Sequence, residues 1–155
     1  MTAPQTLDQA GIARRIPHSG TMCLLERLES WDANAIHCTT GTHANADNPL
    51  RTASGLLSPN LIEYAAQAMA LHGGLLAAEG SEPSAGFLAS ARNVRLAVER
   101  IDDIAGVLHV RAQRISGDVS QILYEFAVKD AHGRPLAEGR AVVVLNTPLA
   151  KEATS

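Results

Sequence analysis

The stretch LSPNLIEYAAQAMALHGGLL, residues 57–76, decides the fold, because it predicts one long helix made almost entirely of apolar and small residues. Ser58 is a favourable N-cap and Pro59 a favourable first helical residue. A helix that is apolar around most of its circumference has to be covered on more than one side. Glu63 differs from its neighbours, since a buried carboxylate is costly unless it is paired or hydrogen-bonded. That carboxylate therefore requires a partner or a chemical role.

The segments on both sides of this helix predict an antiparallel sheet. Residues 5–15 predict a short helix, and 22–31 with 35–42 predict a hairpin. After the long helix, apolar side chains recur with a period of two in four segments, which are 84–98, 106–115, 121–130 and 135–146. One helix against one face of a sheet is an α+β layer arrangement. The sheet covers one side of the helix and a second subunit is the natural cover for the other, so we expect at least a homodimer.

Length and composition indicate one globular domain. The 155-residue chain is 46% hydrophobic and 19% charged, and no second composition block divides it. We predict a single domain over residues 1–155, with its core from about residue 12 to 147. The tail at 148–155 is expected to be frayed.

Charge and hydropathy exclude several classes of function. The formal net charge of −3 gives no basic excess for nucleic acid, and no apolar run reaches the roughly 18 to 20 residues that span a bilayer. The N-terminus has no apolar segment before its arginines, and Cys23 and Cys38 follow no metal or disulfide spacing. We expect a cytoplasmic protein with no nucleic-acid or membrane partner, no metal site and no dissociable cofactor.

Three motifs carry a family resemblance. They are IPHSGTMCLLERL at 16–28, LIEYAAQAMALHG at 61–73 and FLASARNVRLAVE at 87–99. Together they resemble the opening loop and first strand, the central helix and the following strand of the hotdog-fold β-hydroxyacyl-acyl-carrier-protein dehydratases. The NPLR before the helix is similar to the predicted dehydratases of aryl polyene pathways. The resemblance implies a hotdog fold, in which a curved antiparallel sheet wraps one long central helix.

The resemblance also implies an activity. The expected reaction converts a 3-hydroxyacyl thioester, on acyl carrier protein or coenzyme A, into an enoyl thioester in fatty-acid or polyene-type lipid biosynthesis. Protonated Glu63 would act on the hydroxyl group while a histidine takes the α-proton. The fatty-acid enzymes carry that histidine in a GHFPG loop, at the position where this chain has Pro49.

Two alternatives stay open beside the dehydratase. In a hotdog thioesterase, the helix acid would activate water instead. In a non-catalytic partner subunit, the chain would bind an acyl chain or stabilise an active hotdog protein, possibly within a heteromer. The departure at Pro49 favours the partner subunit.

Helical periodicity predicts the substrate-binding residues. At ~100° per residue, one stripe of the helix carries Asn60, Glu63, Gln67, Ala70 and Gly74. We predict that the thioester lies near Glu63 and that the acyl chain passes Ala70 and Gly74. The free N–H groups at the helix start, from Ser58 to Leu61, are predicted to face the thioester oxygen.

His18 is the best candidate to act with Glu63, because it follows a proline in a loop and an imidazole titrates near neutrality. Bracing of that loop is the alternative role. The family builds its sites between subunits, which leaves open that His18 and Glu63 come from different chains. His72 is about 180° round the helix from Glu63, so we predict a core histidine. We predict surface positions for the other histidines, which are His37, His43, His109 and His132.

Five arginines are candidates for contact with an acidic carrier protein near the mouth of the site. They are Arg14, Arg15, Arg51, Arg92 and Arg95. Ordinary solvated charges are the alternative. The histidines have no metal-ligand spacing.

Overall fold

The computed structural model describes residues 3–78, 86–118 and 120–145. Within them lie two α-helices, α1 (Gln9–Ala13) and α2 (Leu61–Ala78). The strands are β1 (Leu7–Asp8), β2 (Arg27–Trp31), β3 (Ala35–Thr40), β4 (Gly86–Leu96), β5 (Leu108–Gly117), β6 (Gln121–Lys129) and β7 (Pro135–Leu145). Short 3-10 turns span Gly20–Met22, Thr42–Ala44 and Ser58–Asn60. The predicted tail at 148–155 lies outside the described residues.

The strands form one sheet in the order β1-β2-β3-β5-β6-β7-β4, and each neighbouring pair is antiparallel. Helix α2 packs against one face of this sheet and contacts β3 to β7. The period-two pattern is confirmed, because the side chains predicted to face inward are buried: Leu108, Val110 and Ala112 on β5, and Ile122, Tyr124, Phe126 and Val128 on β6. The predicted α+β architecture is therefore confirmed.

The helical segment begins with the 3-10 turn Ser58–Asn60, which contains Pro59 near its start as predicted, and α2 continues it from Leu61. The predicted N-cap role of Ser58 is wrong, because Leu57 precedes this turn and no side chain caps it. Twelve of its 18 residues are buried within the single chain. The sheet covers one side, and residues 15–24 of the same chain cover part of the other. Burial of the helix therefore supplies no argument for a second subunit. Among the described residues, no helix is long and apolar enough to cross a membrane.

The N-terminal elements are shorter than predicted. Helix α1 begins only at Gln9, because Leu7 and Asp8 pair with β2, and the Asp8 side chain then accepts the Gly11 N–H as an N-cap. The strand predicted at 22–31 begins only at Arg27. The residues before it form the turn and extended segment that pass over helix α2.

The long loop between β3 and α2 is fixed by a buried carboxylate, Asp102, whose side chain is only 2% exposed. It accepts the Leu56 N–H at 3.1 Å and forms ion pairs with Arg100 at 2.7 Å and Arg51 at 3.2 Å. Hydrogen bonding from Arg100 is the main reason that the pKa of Asp102 is well below its usual value. These contacts determine where helix α2 starts, and so where Glu63 lies.

Candidate functional site

Glu63 and His18 meet at the start of helix α2. The Nε2 atom of His18 lies 3.0 Å from the Oε2 atom of Glu63, and the two side chains are 25% and 34% exposed. Both residues belong to the same chain, so no second subunit is needed to bring them together. The Nδ1 atom of His18 is buried without a hydrogen-bond partner among the described residues. The imidazole therefore makes its polar contact through Nε2.

Gln67 lies one turn further along the helix and is fully buried. Its Oε1 atom accepts the Leu24 N–H at 2.9 Å, and its Nε2 donates to the Met22 carbonyl at 2.7 Å. The same Nε2 donates to Oε2 of Glu63 at 3.2 Å. The amide is thus occupied by protein groups, and the structure does not leave it facing an acyl pocket as predicted.

Gly74, further along the predicted stripe, also lies against the N-terminal segment. A Cβ atom at Gly74 would lie 3.1 Å from the Arg15 carbonyl oxygen, so a glycine permits the close approach of segment and helix. Ala70 is buried, only 6% exposed. Gln67 and Gly74 therefore seat residues 15–24, and the acyl path predicted along Ala70 and Gly74 is occupied at Gly74 by the chain itself.

The backbone N–H groups at the helix start are already engaged. Ser58 donates to the Glu99 carbonyl at 2.8 Å, and Asn60 donates to that of Leu57 at 3.1 Å. Leu61 donates back to the turn that precedes it. Ser58 and Leu61 are also buried, 2% and 0% exposed. These bonds leave no free N–H donor at the three positions for a thioester oxygen. Sequence periodicity could not reveal them.

A buried hydroxyl and amide network joins the loop before helix α2 to the helix itself. Asn48, next to Pro49, donates to the Thr42 carbonyl and to the Tyr64 hydroxyl, each at 3.0 Å. The Tyr64 and Thr42 hydroxyl oxygens are also 3.0 Å apart. Burial raises the pKa of the Tyr64 hydroxyl above its ordinary value. This network was not predicted from the sequence, because its members are distant in the chain, although Tyr64 directly follows Glu63.

Two other histidines bind backbone carbonyls inside the protein. His72 is fully buried, with Nε2 2.8 Å from the Asp32 carbonyl and Nδ1 2.7 Å from the Tyr124 hydroxyl, which confirms the predicted core histidine. Burial lowers the pKa of His72. The surface prediction for His43 is wrong, because its turn directs the ring inward and Nε2 lies 2.9 Å from the Ile104 carbonyl.

His37 and His109 form a pair on the sheet face opposite helix α2. Their Nε2 and Nδ1 atoms are 2.9 Å apart and the rings stack at 5.1 Å. Both are half-buried on this outer face, where the surface positions were predicted, but their contact with each other was not predicted. Adjacent strands β3 and β5 bring them together, which the sequence spacing could not indicate. Burial is the main reason that the pKa of His37 is lowered. His132 is exposed, as predicted.

The five candidate arginines have different surroundings. Arg51 is bound to Asp102, and Arg15 donates to the Gly11 carbonyl at 3.2 Å. The other three are exposed: Arg14, Arg92 and Arg95. Contact with a carrier protein stays a prediction for these residues.

Two cavities are lined by residues other than the His18–Glu63 pair. A groove of about 880 Å³ crosses the outer face of the sheet between His37, Arg111 and Arg140. A polar cavity of about 210 Å³ lies beside Cys23 and Asn48. Neither is lined by His18 or Glu63. In the described part of the chain, no cluster of three potential metal ligands is present.

Solved structures with the same architecture include dehydratases and thioesterases. The dehydratase heterocomplex ApeI:P from Xenorhabdus doucetiae is 24% identical over 93% of this chain and 97% of that one, with a TM-score of 0.76. A variant of the thioesterase PA1618 from Pseudomonas aeruginosa is 14% identical over 94% and 98%, with a TM-score of 0.65. AziG from S. sahachiroi is 17% identical over 76% and 88%, with a TM-score of 0.58. The predicted hotdog fold is confirmed.

Sequence comparison identifies the family. No curated protein matches the chain. Residues 10–154 match the signature of one family, described as ApeP-like: ApeP dehydratase, which covers nearly the whole chain. The suspected hotdog dehydratase relationship is thus confirmed, and the chain belongs to the ApeP-like dehydratase family.

Proposed function

We propose that this protein dehydrates a 3-hydroxyacyl thioester to an enoyl thioester, with His18 and Glu63 transferring the two protons. The observation that carries this proposal is the 3.0 Å contact between His18 Nε2 and Glu63 Oε2. An imidazole and a carboxyl group at this distance suit general acid–base catalysis, which typically contributes about 10²- to 10⁴-fold. Membership of a dehydratase family supports the reaction class.

The elimination needs one proton removed and one supplied. Neutral His18 accepts the proton on Cα, and the released electron pair forms the Cα–Cβ double bond. The hydroxyl group leaves Cβ as water after it receives the proton of Glu63. An imidazolium then faces a carboxylate, and direct transfer from Nε2 to Oε2 regenerates the pair without a third group.

The exposure of the His18 and Glu63 side chains allows a substrate to reach them. Both side chains are partly open to solvent, at 25% for His18 and 34% for Glu63. A substrate that binds on this side replaces the direct contact with two new ones. These are Cα–H to the imidazole and Cβ–OH to the carboxyl group.

We infer that the acyl pocket needs more than the single chain, because neither of the two cavities above is lined by His18 or Glu63. Strand β4 is eleven residues long and ends the described sheet, where it pairs with β7 on one side. An edge of this length presents N–H and C=O groups for strand pairing. We infer that a second hotdog subunit docks along β4 and closes the pocket. The occupant is a second copy or a related dehydratase subunit, and the heterocomplex ApeI:P supports the latter.

A non-catalytic partner subunit is the second candidate function. Pro49 stands where the fatty-acid enzymes place a histidine, and the adjacent Asn48 serves the buried network around Tyr64. Such a subunit would bind the acyl chain or stabilise an active dehydratase without converting substrate itself.

The test uses the purified protein alone and mixed with a related dehydratase subunit. Both samples receive 3-hydroxyacyl thioesters of several chain lengths, on acyl carrier protein and on coenzyme A, and products are identified by mass spectrometry. We expect an enoyl thioester, with more of it in the mixture. Free thiol would indicate a thioesterase instead. Stimulation of the related subunit by a protein that is inactive alone, and equally by its Glu63→Gln variant, would establish the partner role.

A further inference from the structure

Two histidines on the outer face of the sheet bring their ring nitrogens together. His37 Nε2 and His109 Nδ1 are 2.9 Å apart, and the two ring planes differ by 24°. His37 lies on β3 and His109 on β5, within a stretch of six consecutive antiparallel residue pairs. Side chains at diagonal positions of such strands are within reach of each other. Two regular strands therefore hold this pair of imidazoles in place.

The distance between the two nitrogens suits a shared metal ion. Imidazole binds a transition-metal ion at about 2.0–2.1 Å, so two nitrogens on one ion lie about 2.9 Å apart at a right angle and about 3.4 Å apart at a tetrahedral angle. The observed 2.9 Å falls in this range. A neutral imidazole can carry its one N–H on either nitrogen, so both facing nitrogens can offer lone pairs. The torsion that turns a histidine ring is broad, which lets both lone pairs converge on one ion.

The surroundings of the pair give an ion access and partial charge compensation. His37 lines the groove of about 880 Å³, which opens the ring to solvent. Glu29 accepts a hydrogen bond from the Thr39 hydroxyl at 2.7 Å, and Thr39 lies directly opposite His109. The Glu29 carboxylate is therefore on the same face of the sheet as the two imidazoles.

Two basic residues beside the pair oppose a cation. Arg111 lies directly opposite His37, and Lys129 lies directly opposite His109. Residues that face each other across antiparallel strands share one side of the sheet. These positive charges should weaken the binding of an ion without preventing it, because charges on an open face are screened by solvent.

We propose that His37 and His109 bind one divalent transition-metal ion, of the class of Zn²⁺, Ni²⁺ and Cu²⁺, which links strands β3 and β5. Imidazole nitrogen selects these ions over Mg²⁺ and Ca²⁺, which prefer oxygen ligands. The pair supplies two ligands where structural zinc sites supply four, so water completes the coordination and the ion is exchangeable. This site is separate from the function proposed above.

Isothermal titration of the 155-residue chain, without an affinity tag, measures the binding directly. We expect one Zn²⁺ per chain for the wild type and no binding of Mg²⁺ under the same conditions. His37→Gln and His109→Gln should each weaken Zn²⁺ binding by at least about 10-fold, the loss that removal of even an outer-shell partner can cause. Arg111→Gln should tighten the binding by about 2- to 10-fold, because a nearby positive charge is removed.

Two matched variants test the assignment against other histidines. His132→Gln replaces an exposed histidine, and His18→Gln removes the imidazole beside Glu63. Both should bind Zn²⁺ as the wild type does. Zn²⁺ binding that is lost in either control, or that is kept in both His37→Gln and His109→Gln, would overturn the proposal.

Measurements on the wild type keep the proposal testable if a histidine variant fails to fold. Because the ion binds the folded chain, Zn²⁺ at 100 times its Kd should raise Tm by about 5–10 °C, and EDTA should reverse the change. Zn²⁺ should also move the imidazole NMR signals of His37 and His109 and leave those of the buried His72 in place. His37 and His109 signals that do not respond to Zn²⁺ would refute the site, whatever the dehydratase activity of the protein.

Discussion

Replacing His72 by alanine should destabilise the protein and leave the His18–Glu63 pair in place. The imidazole is fully buried and binds Tyr124 and the Asp32 carbonyl, far round the helix from Glu63. Removing it leaves the Tyr124 hydroxyl buried and unpaired, since that side chain is only 1% exposed. The Asp32 carbonyl is near the surface, where water can replace the lost bond.

The expected loss follows from these contacts. An unpaired buried hydroxyl costs about 1–3 kcal/mol, and the cavity left by the imidazole adds about 1–2 kcal/mol. We therefore expect the free energy of unfolding to fall by about 3 kcal/mol, which for a domain of this size lowers Tm by about 6–12 °C. Tyr124→Phe removes the stranded hydroxyl, so the double variant should be less destabilised than the sum of the two single variants, by about 1 kcal/mol.

Urea unfolding at pH 7.5, followed by circular dichroism for the wild type, both single variants and the double variant, tests this prediction. Dehydration measured well below each Tm serves as the functional control and should be similar in all four proteins. Additive losses would refute the proposed coupling through the Tyr124 hydroxyl. A His72→Ala protein as stable as the wild type would contradict the buried contacts themselves.

Three further predictions concern stability. Burial lowers the pKa of His72 in the folded protein, so below about pH 6.5 the unfolded chain binds a proton more readily than the folded chain does. The free energy of unfolding should therefore fall as the pH decreases below about 6.5. In urea titrations, His72→Ala should show less of this pH dependence. Gly74→Val should lower Tm, because its side chain would meet the Arg15 carbonyl, and proteolysis near residues 15–24 should become faster. Tyr64→Phe should cost about 1–2 kcal/mol in thermal unfolding, because Asn48 and Thr42 lose a buried hydroxyl partner.

Local periodicity was enough to predict the main elements of the fold. The apolar stretch at 57–76 and the alternation around Val110 and Tyr124 depend on neighbours in sequence, and the structure confirms both. The core position of His72 followed from its angle to Glu63 on one helix. These predictions succeeded because the relevant contacts are fixed by the geometry of single elements.

Contacts between distant segments could not be predicted in the same way. The sequence predicts that the stripe through Gln67 and Gly74 lines a pocket, but these two residues seat residues 15–24, because small and polar side chains suit a backbone segment as well as a substrate. His43 and the pair of His37 with His109 depend on which loop and strand lie opposite them. Such pairings are decided by tertiary packing and leave no local signal.

The central claim is that His18 and Glu63 transfer the protons of dehydration. Its most direct test is the single-turnover rate of enoyl thioester formation by the wild type, Glu63→Gln and His18→Ala. The rate is measured in whichever sample forms product, the protein alone or its mixture with a related dehydratase subunit. His132→Ala, which replaces an exposed histidine, is the matched control. We predict that both pair variants keep the wild-type Tm within a few degrees and lose at least about 10²-fold in rate, while the control keeps its rate. A Glu63→Gln protein that forms the enoyl thioester at the wild-type rate would contradict the claim.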